Sequence, residues 1–267
     1  QVRIENATAN IRFADCVGFI TRGANGFEED GKPRLVNTPW SDKPLPFAEA
    51  AELGTQKVIS EHSTIGVCVT TDGSIADIPR DGYVDAEERT VAHLKASGKP
   101  FVIILNCVEP DKAAAKKLRE ELENKYKVTT IAANCEKLNA EGLLNVLKAV
   151  LFEFPVTGFD IDIPDWMRFL PPDSTAVCEL LDRIKAAAEA VKKMKDCSAF
   201  DNMLADCKFW KPEALVNLSL SDGKAHVDCY VKDGIFFDML SEIAGDTISD
   251  EFTLMRYVRG TSEAKRN

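Results

Sequence analysis

The chain has 267 residues, of which 45% are hydrophobic and 28% charged, a composition typical of a globular protein with a sizeable core. Its 43 acidic residues outnumber its 33 basic ones, and the net charge of −10 argues against nucleic-acid binding over the whole surface. The longest apolar runs, such as Phe101 to Leu105, are too short to span a bilayer.

The first half of the chain alternates strand and helix patterns. The predicted strands are Val2 to Ile4, Ile11 to Ala14, Ile65 to Thr70, Phe101 to Leu105 and Val128 to Ala132, and a long loop runs from Phe19 to Pro46. The predicted helices are Phe47 to His62, a helix capped by Asp85 and ending at Ser97, Lys112 to Tyr126, and Ala140 to Phe152 capped by Asn139. Such alternation implies crossover connections and a mostly parallel sheet, so we predict an α/β domain over residues 1–155.

The pattern changes after Pro155. Alternating residues predict a half-exposed strand at Phe159 to Ile163, and Asp173 begins a helix that is predicted to reach Lys195. Two further alternating runs, joined by the turn Ser221 to Lys224, predict a β-hairpin, and a helix follows at Ile235 to Ala244. Residues 156–267 are therefore predicted to form a smaller α+β domain.

The cysteines and histidines do not indicate a metal site. The eight cysteines stand at irregular intervals without a CxxC pair, which predicts a reduced, cytoplasmic protein. The three histidines lack the spacing to cysteine that zinc ligands show. No GxSxG motif is present, so a serine hydrolase is not supported either.

The most informative motif is Asp15 followed three residues later by Gly18, directly after the predicted strand Ile11 to Ala14. In nucleotide hydrolases an Asp at a strand end holds Mg²⁺, usually through water, and a Gly lets its amide approach the γ-phosphate. The motif alone is weak, and Asp15 as a simple turn or cap residue is the alternative. The preceding strand pattern and the long loop that follows favour the nucleotide site.

A second candidate motif follows the buried strand at Phe101 to Leu105. Guanine-specific hydrolases place Asn-Lys-x-Asp here, whereas this chain has Asn106, Cys107 in place of Lys, and Glu109 in place of Asp. The longer Glu side chain spoils a two-bond fit to guanine, which puts guanine preference in doubt. Asn106 and Glu109, together with Asn134 after the next strand, are the candidate nucleotide-binding residues, and Asn106 as a simple turn residue is the alternative.

The other polar residues near these strand ends have weaker links to a nucleotide site. Thr70 and Thr71 lie at a strand end and form either the rim of the site or a polar turn. Arg80 and the pair Glu87–Glu88 are interpreted as solvated loop and helix residues.

A series of segments is much more specific than either motif alone. The segments are Asn10 to Gly18, Val36 to Trp40, Lys57 to Gly66, Thr70 to Gly73, Ala86 to Arg89, Gly98 to Phe101 and Phe152 to Pro155. In them the chain resembles the stage IV sporulation protein A family, the spore-coat morphogenetic ATPases of endospore-forming bacteria. The resemblance is dense over roughly the first 165 residues and loose over the rest.

The resemblance implies a P-loop NTPase-like fold of the translation-factor type that hydrolyses ATP with Mg²⁺. The sheet would be incomplete at the N-terminus here, because the family's phosphate-binding segment is expected before Gln1. Asp15 is then the metal-directing carboxylate and Gly18 the residue that senses the γ-phosphate. Without the phosphate-binding segment, residues 1–267 alone are expected to be inactive.

The resemblance also implies a place and partners. The family assembles with ATP into a shell on the forespore surface, on the side of the mother-cell cytoplasm. Its expected partners are further copies of itself, a small amphipathic membrane-anchoring peptide and other spore coat proteins, but no nucleic acid. Two alternatives stay open: a scaffold with a P-loop fold that no longer uses nucleotide, and a GTPase switch.

Overall fold

A computed structural model describes residues 2–4, 7–29 and 31–264 of the chain. Its internal contacts divide the chain between Phe154 and Pro155 into two compact units. Within the described residues, no helix combines the length and the apolar character that crossing a membrane requires.

The first unit is built around a three-stranded parallel sheet. The strands of the unit are β1 (Val2–Ile4), β2 (Ala7–Ala9), β3 (Glu28–Glu29), β4 (Lys32–Pro33), β5 (Leu35–Thr38), β6 (Ser41–Pro46), β7 (Gly66–Thr71), β8 (Phe101–Asn106) and β9 (Thr130–Ala133). Its helices are α1 (Phe47–Lys57), α2 (Arg80–Ala96), α3 (Ala113–Tyr126) and α4 (Ala140–Phe152). The parallel sheet has the order β7-β8-β9, and a π-helical turn at Val58–His62 extends α1. The prediction of an α/β domain with parallel strands is confirmed.

The central strand β8 is buried on both faces. Val102, Ile103 and Leu105 are fully inaccessible to solvent, as a run of apolar residues in the middle of a parallel sheet predicts. One face packs with residues of α2 and α3, such as Leu94 and Leu122, and the other packs with residues of α4. The unit therefore has helices on both sides of its sheet.

The predicted strand at Ile11 to Ala14 is wrong, because residues 10–18 are in no strand. Phe13 is 72% exposed, so the apolar run does not pack as a strand would. A strand needs a neighbour for its backbone hydrogen bonds, and this segment pairs with no strand among the described residues. The local apolar pattern could not reveal that a neighbour was missing.

Two other predictions for this unit need correction. The predicted loop from Phe19 to Pro46 contains the short hairpins β3–β4 and β5–β6. Helix α2 begins at Arg80 instead of after Asp85, because Pro79 takes an extended conformation and the chain turns helical immediately after it. Strand β2 was not predicted and pairs antiparallel with β1. The other helices and strands of this half lie where they were predicted, to within one or two residues.

The second unit is a three-stranded mixed sheet with helices. It contains β10 (Gly158–Asp162), β11 (Leu215–Ser219), β12 (Lys224–Asp228), α5 (Thr175–Ala190), α6 (Ile235–Ala244) and α7 (Glu251–Ala264). β12 lies in the middle, parallel to β10 and antiparallel to β11, so the predicted hairpin is confirmed. The fully buried Trp210 anchors the core and donates from its indole nitrogen to the Ala176 carbonyl at 3.0 Å.

Helix α5 is shorter than predicted. It ends at Ala190 instead of Lys195, because Val191 turns extended and Lys193 then forms a bridge with Pro155. A 3-10 segment, Met194–Phe200, follows and buries Met194 and Phe200 in the core regions of the unit. Helix α7 was not predicted from the sequence pattern.

The cap of α4 gives a first prediction. The Asn139 side chain accepts a hydrogen bond from the Gly142 amide at 2.8 Å. We expect Asn139→Ala to lower the free energy of unfolding by about 1 kcal/mol, because that amide loses its acceptor. Asn145→Ala, an exposed change within the same helix, should alter it by less than about 0.5 kcal/mol. Urea denaturation of both variants measures the difference, and equal losses would contradict the capping role.

Candidate functional site

The carboxyl ends of the three parallel strands lie side by side. Thr71 of β7 pairs in register with Asn106 of β8, which pairs with Ala133 of β9. Parallel α/β sheets gather ligand-binding groups at this edge, because the loops that leave the strands converge there. The predicted residues Asn106, Glu109 and Asn134 all lie at or just beyond these ends.

Asn106 and Asn134 connect the two loops that follow β8 and β9. The Asn106 Oδ1 atom accepts the Cys135 amide at 3.0 Å, and the Asn134 Nδ2 atom donates to the Val108 carbonyl at 3.1 Å. Asn134 Oδ1 also accepts the amides of the two residues after Cys135, at 3.1 and 3.2 Å. Both asparagines therefore hold the backbone of these loops in place.

Cys107 cannot replace the lysine of a guanine-binding motif. Its side chain is fully buried, and its Sγ atom lies 3.9 Å from the Ala133 carbonyl. Burial raises the pKa of the Cys107 thiol, so the group stays neutral and carries no charge to a base. The neighbouring Glu109 is exposed and forms an ion pair with Lys112 on its own loop.

A buried charge network supports the end of β7. Glu87 of α2 is only 4% exposed, and its carboxylate accepts the Thr70 hydroxyl at 2.6 Å and the Tyr126 hydroxyl at 2.8 Å. Arg80 completes the network with an ion pair to Glu87 at 2.6 Å and a hydrogen bond to Thr70 at 3.0 Å. The interpretation of Arg80 and Glu87 as solvated residues is therefore wrong.

The sequence offered one signal for this network. Arg80 and Glu87 are separated by two helical turns, so they share a face of α2 once the helix is known to begin at Arg80. The predicted start at Asp85 left Arg80 outside the helix and hid the pairing. Burial also raises the pKa of Tyr126 to about 12, so its hydroxyl remains a hydrogen-bond donor to Glu87 at all ordinary pH values.

The structure places Asp15 and Gly18 beside α1 and the outer edge of β7. Gly18 has a φ of +81°, which favours glycine, and its amide donates to the Thr55 hydroxyl at 3.1 Å. Asp15 is exposed and accepts the Cys16 amide at 2.9 Å. Neither residue is hydrogen-bonded to Asn106 or Asn134, so the two predicted groups of site residues lie in separate hydrogen-bond networks of the unit.

A cavity separates this segment from the sheet. It has a volume of about 310 Å³ and is lined by residues 14–18 on one side and by Gly66 to Val69 on the other. The β7 edge that faces it pairs with no strand in the described part of the chain. Val67 and Val69 are 41% and 60% exposed, unusually high for valines of a parallel sheet.

The acidic residues fit magnesium only in the presence of phosphate. No group of three or more His, Cys, Asp or Glu side chains among residues 2–4, 7–29 and 31–264 is arranged to hold a metal. Mg²⁺ is commonly held by one or two carboxylates, with waters and substrate phosphates completing its shell. The single carboxylate of Asp15 suits that arrangement and not a metal cage built from protein alone.

Two family models match the chain, one over each of its two parts. Residues 1–155 match the family model for the Stage IV sporulation protein A ATPase domain, and residues 156–267 match the model for its middle domain. The chain belongs to the stage IV sporulation protein A family. Residues 1–155 therefore correspond to the ATPase domain of that family.

Curated relatives of the stage IV sporulation protein A family agree with this assignment. The proteins of that name from Bacillus subtilis (strain 168), Bacillus anthracis and Clostridioides difficile (strain 630) are 36%, 38% and 35% identical over 96%, 98% and 99% of this chain. The matches cover 52%, 53% and 54% of those proteins, so the chain spans about half their length. No solved structure matches the chain.

The buried network gives a second prediction. We expect Glu87→Ala to lower the free energy of unfolding by about 3–5 kcal/mol, because it leaves Arg80 without its buried counter-charge and the Tyr126 hydroxyl without its acceptor. Glu88→Ala is the matched control: this neighbour pairs with Lys125 at the half-exposed surface and should cost less than about 1 kcal/mol. Thermal or urea unfolding measures both, and similar losses would show that burial does not strengthen the Glu87 contacts.

Proposed function

We propose that these residues act within a longer protein that binds Mg–ATP and hydrolyses it. Hydrolysis then drives self-assembly into the basement layer of the spore coat on the forespore surface. The observation that carries this proposal is the match of residues 1–155 to the ATPase domain of a sporulation family. The arrangement of the strand ends supports it, since β7, β8 and β9 bring their loops together where nucleotides bind in parallel α/β folds.

The β8 and β9 loops supply the base side of the proposed site. Asn106 and Asn134 hold these loops against each other, as a base pocket requires. The neutral, buried Cys107 and the ion-paired Glu109 remove the two groups that guanine recognition would use. This favours ATP over the GTPase alternative.

On the metal side of the proposed site, Asp15 directs Mg²⁺ and Gly18 senses the γ-phosphate. The free edge of β7, its exposed valines and the adjoining cavity support the addition of one further parallel strand between β7 and residues 14–18. We propose that the phosphate-binding segment of the longer protein provides that strand and completes a P-loop fold of the translation-factor type. The strand would also provide a backbone partner for residues 10–18, which are in no strand in this structure.

The remaining parts of the proposal rest on the family resemblance. The assembled protein lies on the mother-cell side of the forespore membrane and is held there by a small amphipathic membrane-anchoring peptide. It associates with copies of itself and recruits other spore coat proteins. The alternatives are a scaffold that does not use nucleotide and a GTPase switch, and measurements of turnover and of nucleotide preference distinguish them.

The third prediction concerns Asp15. In the full-length protein we expect Asp15→Asn to lower kcat for ATP by at least about 100-fold, because the carboxylate that directs Mg²⁺ is lost. Asp42→Asn, an exposed change in β6, is the control and should leave kcat unchanged. Phosphate release with ATP and with GTP measures both turnover and preference.

Three results would oppose the proposal in different ways. A full-length protein without turnover favours the scaffold, and a strong preference for GTP favours the switch. Full activity of Asp15→Asn would remove Asp15 from the site. Residues 1–267 alone are expected to show no turnover, because they have no phosphate-binding loop.

The fourth prediction concerns the free edge of β7. Val69 is 60% exposed, so Val69→Asp should lower the unfolding free energy of the 267-residue chain by no more than about 1 kcal/mol, the span of strand preferences. In the full-length protein the added strand and the segment following it would bury this position, and the same change should cost more than about 2 kcal/mol. Leu35→Asp, at a strand residue 62% exposed, is the control in both proteins. Equal effects of Val69→Asp in the two proteins would exclude a covering segment.

A further inference from the structure

The loop after β7 reaches across to the loop after β8 through one hydroxyl group. The Ser74 Oγ atom accepts the Val108 amide at 3.0 Å, although the two residues are 34 positions apart. The Val108 carbonyl accepts Asn134 Nδ2 at 3.1 Å from the opposite side. Both polar backbone groups of Val108 are therefore held by side chains from the two neighbouring strand ends, and its 43% exposed side chain is left facing outward.

Asp72 sets the direction in which the Ser74 hydroxyl acts. The Asp72 Oδ1 atom accepts both the Ser74 hydroxyl at 2.5 Å and the Ser74 amide at 2.9 Å. Because the hydroxyl hydrogen is used on Asp72, a lone pair of Oγ is free to accept the Val108 amide. The charged acceptor makes this orientation stronger than a neutral one would.

The loop that carries Asp72 and Ser74 is itself fixed to the buried network. Arg80 donates to the Thr70 hydroxyl at 3.0 Å and to the Thr71 carbonyl at 3.3 Å, immediately before Asp72. Gly73 has a φ of +88°, and a side chain there would place its Cβ 2.8 Å from the Arg80 amide nitrogen. The turn therefore lies directly against the start of α2, and its position is determined by a buried ion pair.

We infer that Ser74 is a positioning residue for the base-side loop of the ATP site. Ser74 acts through Val108. By holding the Val108 amide, it fixes the distance between the loop after β8, with its apolar Val108 side chain, and the base of the bound nucleotide. Asn134 does the same from the β9 side. This inference rests on the proposed ATPase function. It assigns a role to Ser74, whose loop contacts neither the phosphates nor the metal in that proposal.

The test compares Ser74→Ala with Ser74→Thr in the full-length protein. Losing one hydrogen bond should raise KM for ATP roughly threefold to tenfold, while kcat stays within about twofold because the metal side is untouched. Ser74→Thr keeps the hydroxyl and should restore KM. Asp77→Asn, an exposed change in the same loop, is the control and should leave KM unchanged. Hydrogen exchange of the Val108 amide in the same variants should be faster in Ser74→Ala only.

The outcomes separate this inference from the proposed function. Unchanged KM in Ser74→Ala, with faster exchange at Val108, would show that the contact exists but does not position the base, and would overturn the inference. Unchanged exchange would overturn the contact itself. If either happens while the wild-type protein still turns over ATP and depends on Asp15, the proposed function stands. Absence of wild-type turnover overturns both.

Discussion

The parallel register of β7, β8 and β9 is the constraint on which the candidate site depends. The fully buried β8 is hydrogen-bonded to a neighbour on each side, so the ends of all three strands are fixed relative to one another. A shift of one residue would turn Val102 and Ile103 to the wrong faces and separate Thr71 from Asn106. The hydrophobic core thus sets the distance between loops whose side chains are polar.

The strand ends are further joined by side chains that bond to backbone groups of the neighbouring loops. Ser74 and Asn134 hold Val108, and Asn106 holds Cys135. Behind them, the buried Glu87 pairs with the partly buried Arg80, and burying a charge is costly unless it has partners. The partners are present in this case, and Arg80 also donates to the Thr71 carbonyl, next to the loop that follows β7.

Prediction from sequence succeeded where a local pattern reports the local structure. The five apolar residues of β8 and the cap at Asn139 are read directly from residue type, and both are confirmed. It failed at Ile11 to Ala14, where the strand pattern is present but no described strand pairs with it. It also failed at Glu87, because a carboxylate on a helix is normally solvated, and only the fold brings Thr70, Arg80 and Tyr126 to it.

The sequence by itself determined the alternation of strands and helices, the family and the identity of the candidate residues. These follow from apolar periodicity and from motifs, both of which depend on neighbours along the chain. Only the tertiary structure decided that Asn106 and Asn134 act as loop supports, that Glu87 is buried, and that Asp15 lies beside a free sheet edge. The physical reason is that a hydrogen-bond partner, a counter-charge or a pairing strand comes from a distant part of the chain, and residue type alone does not say which part that is.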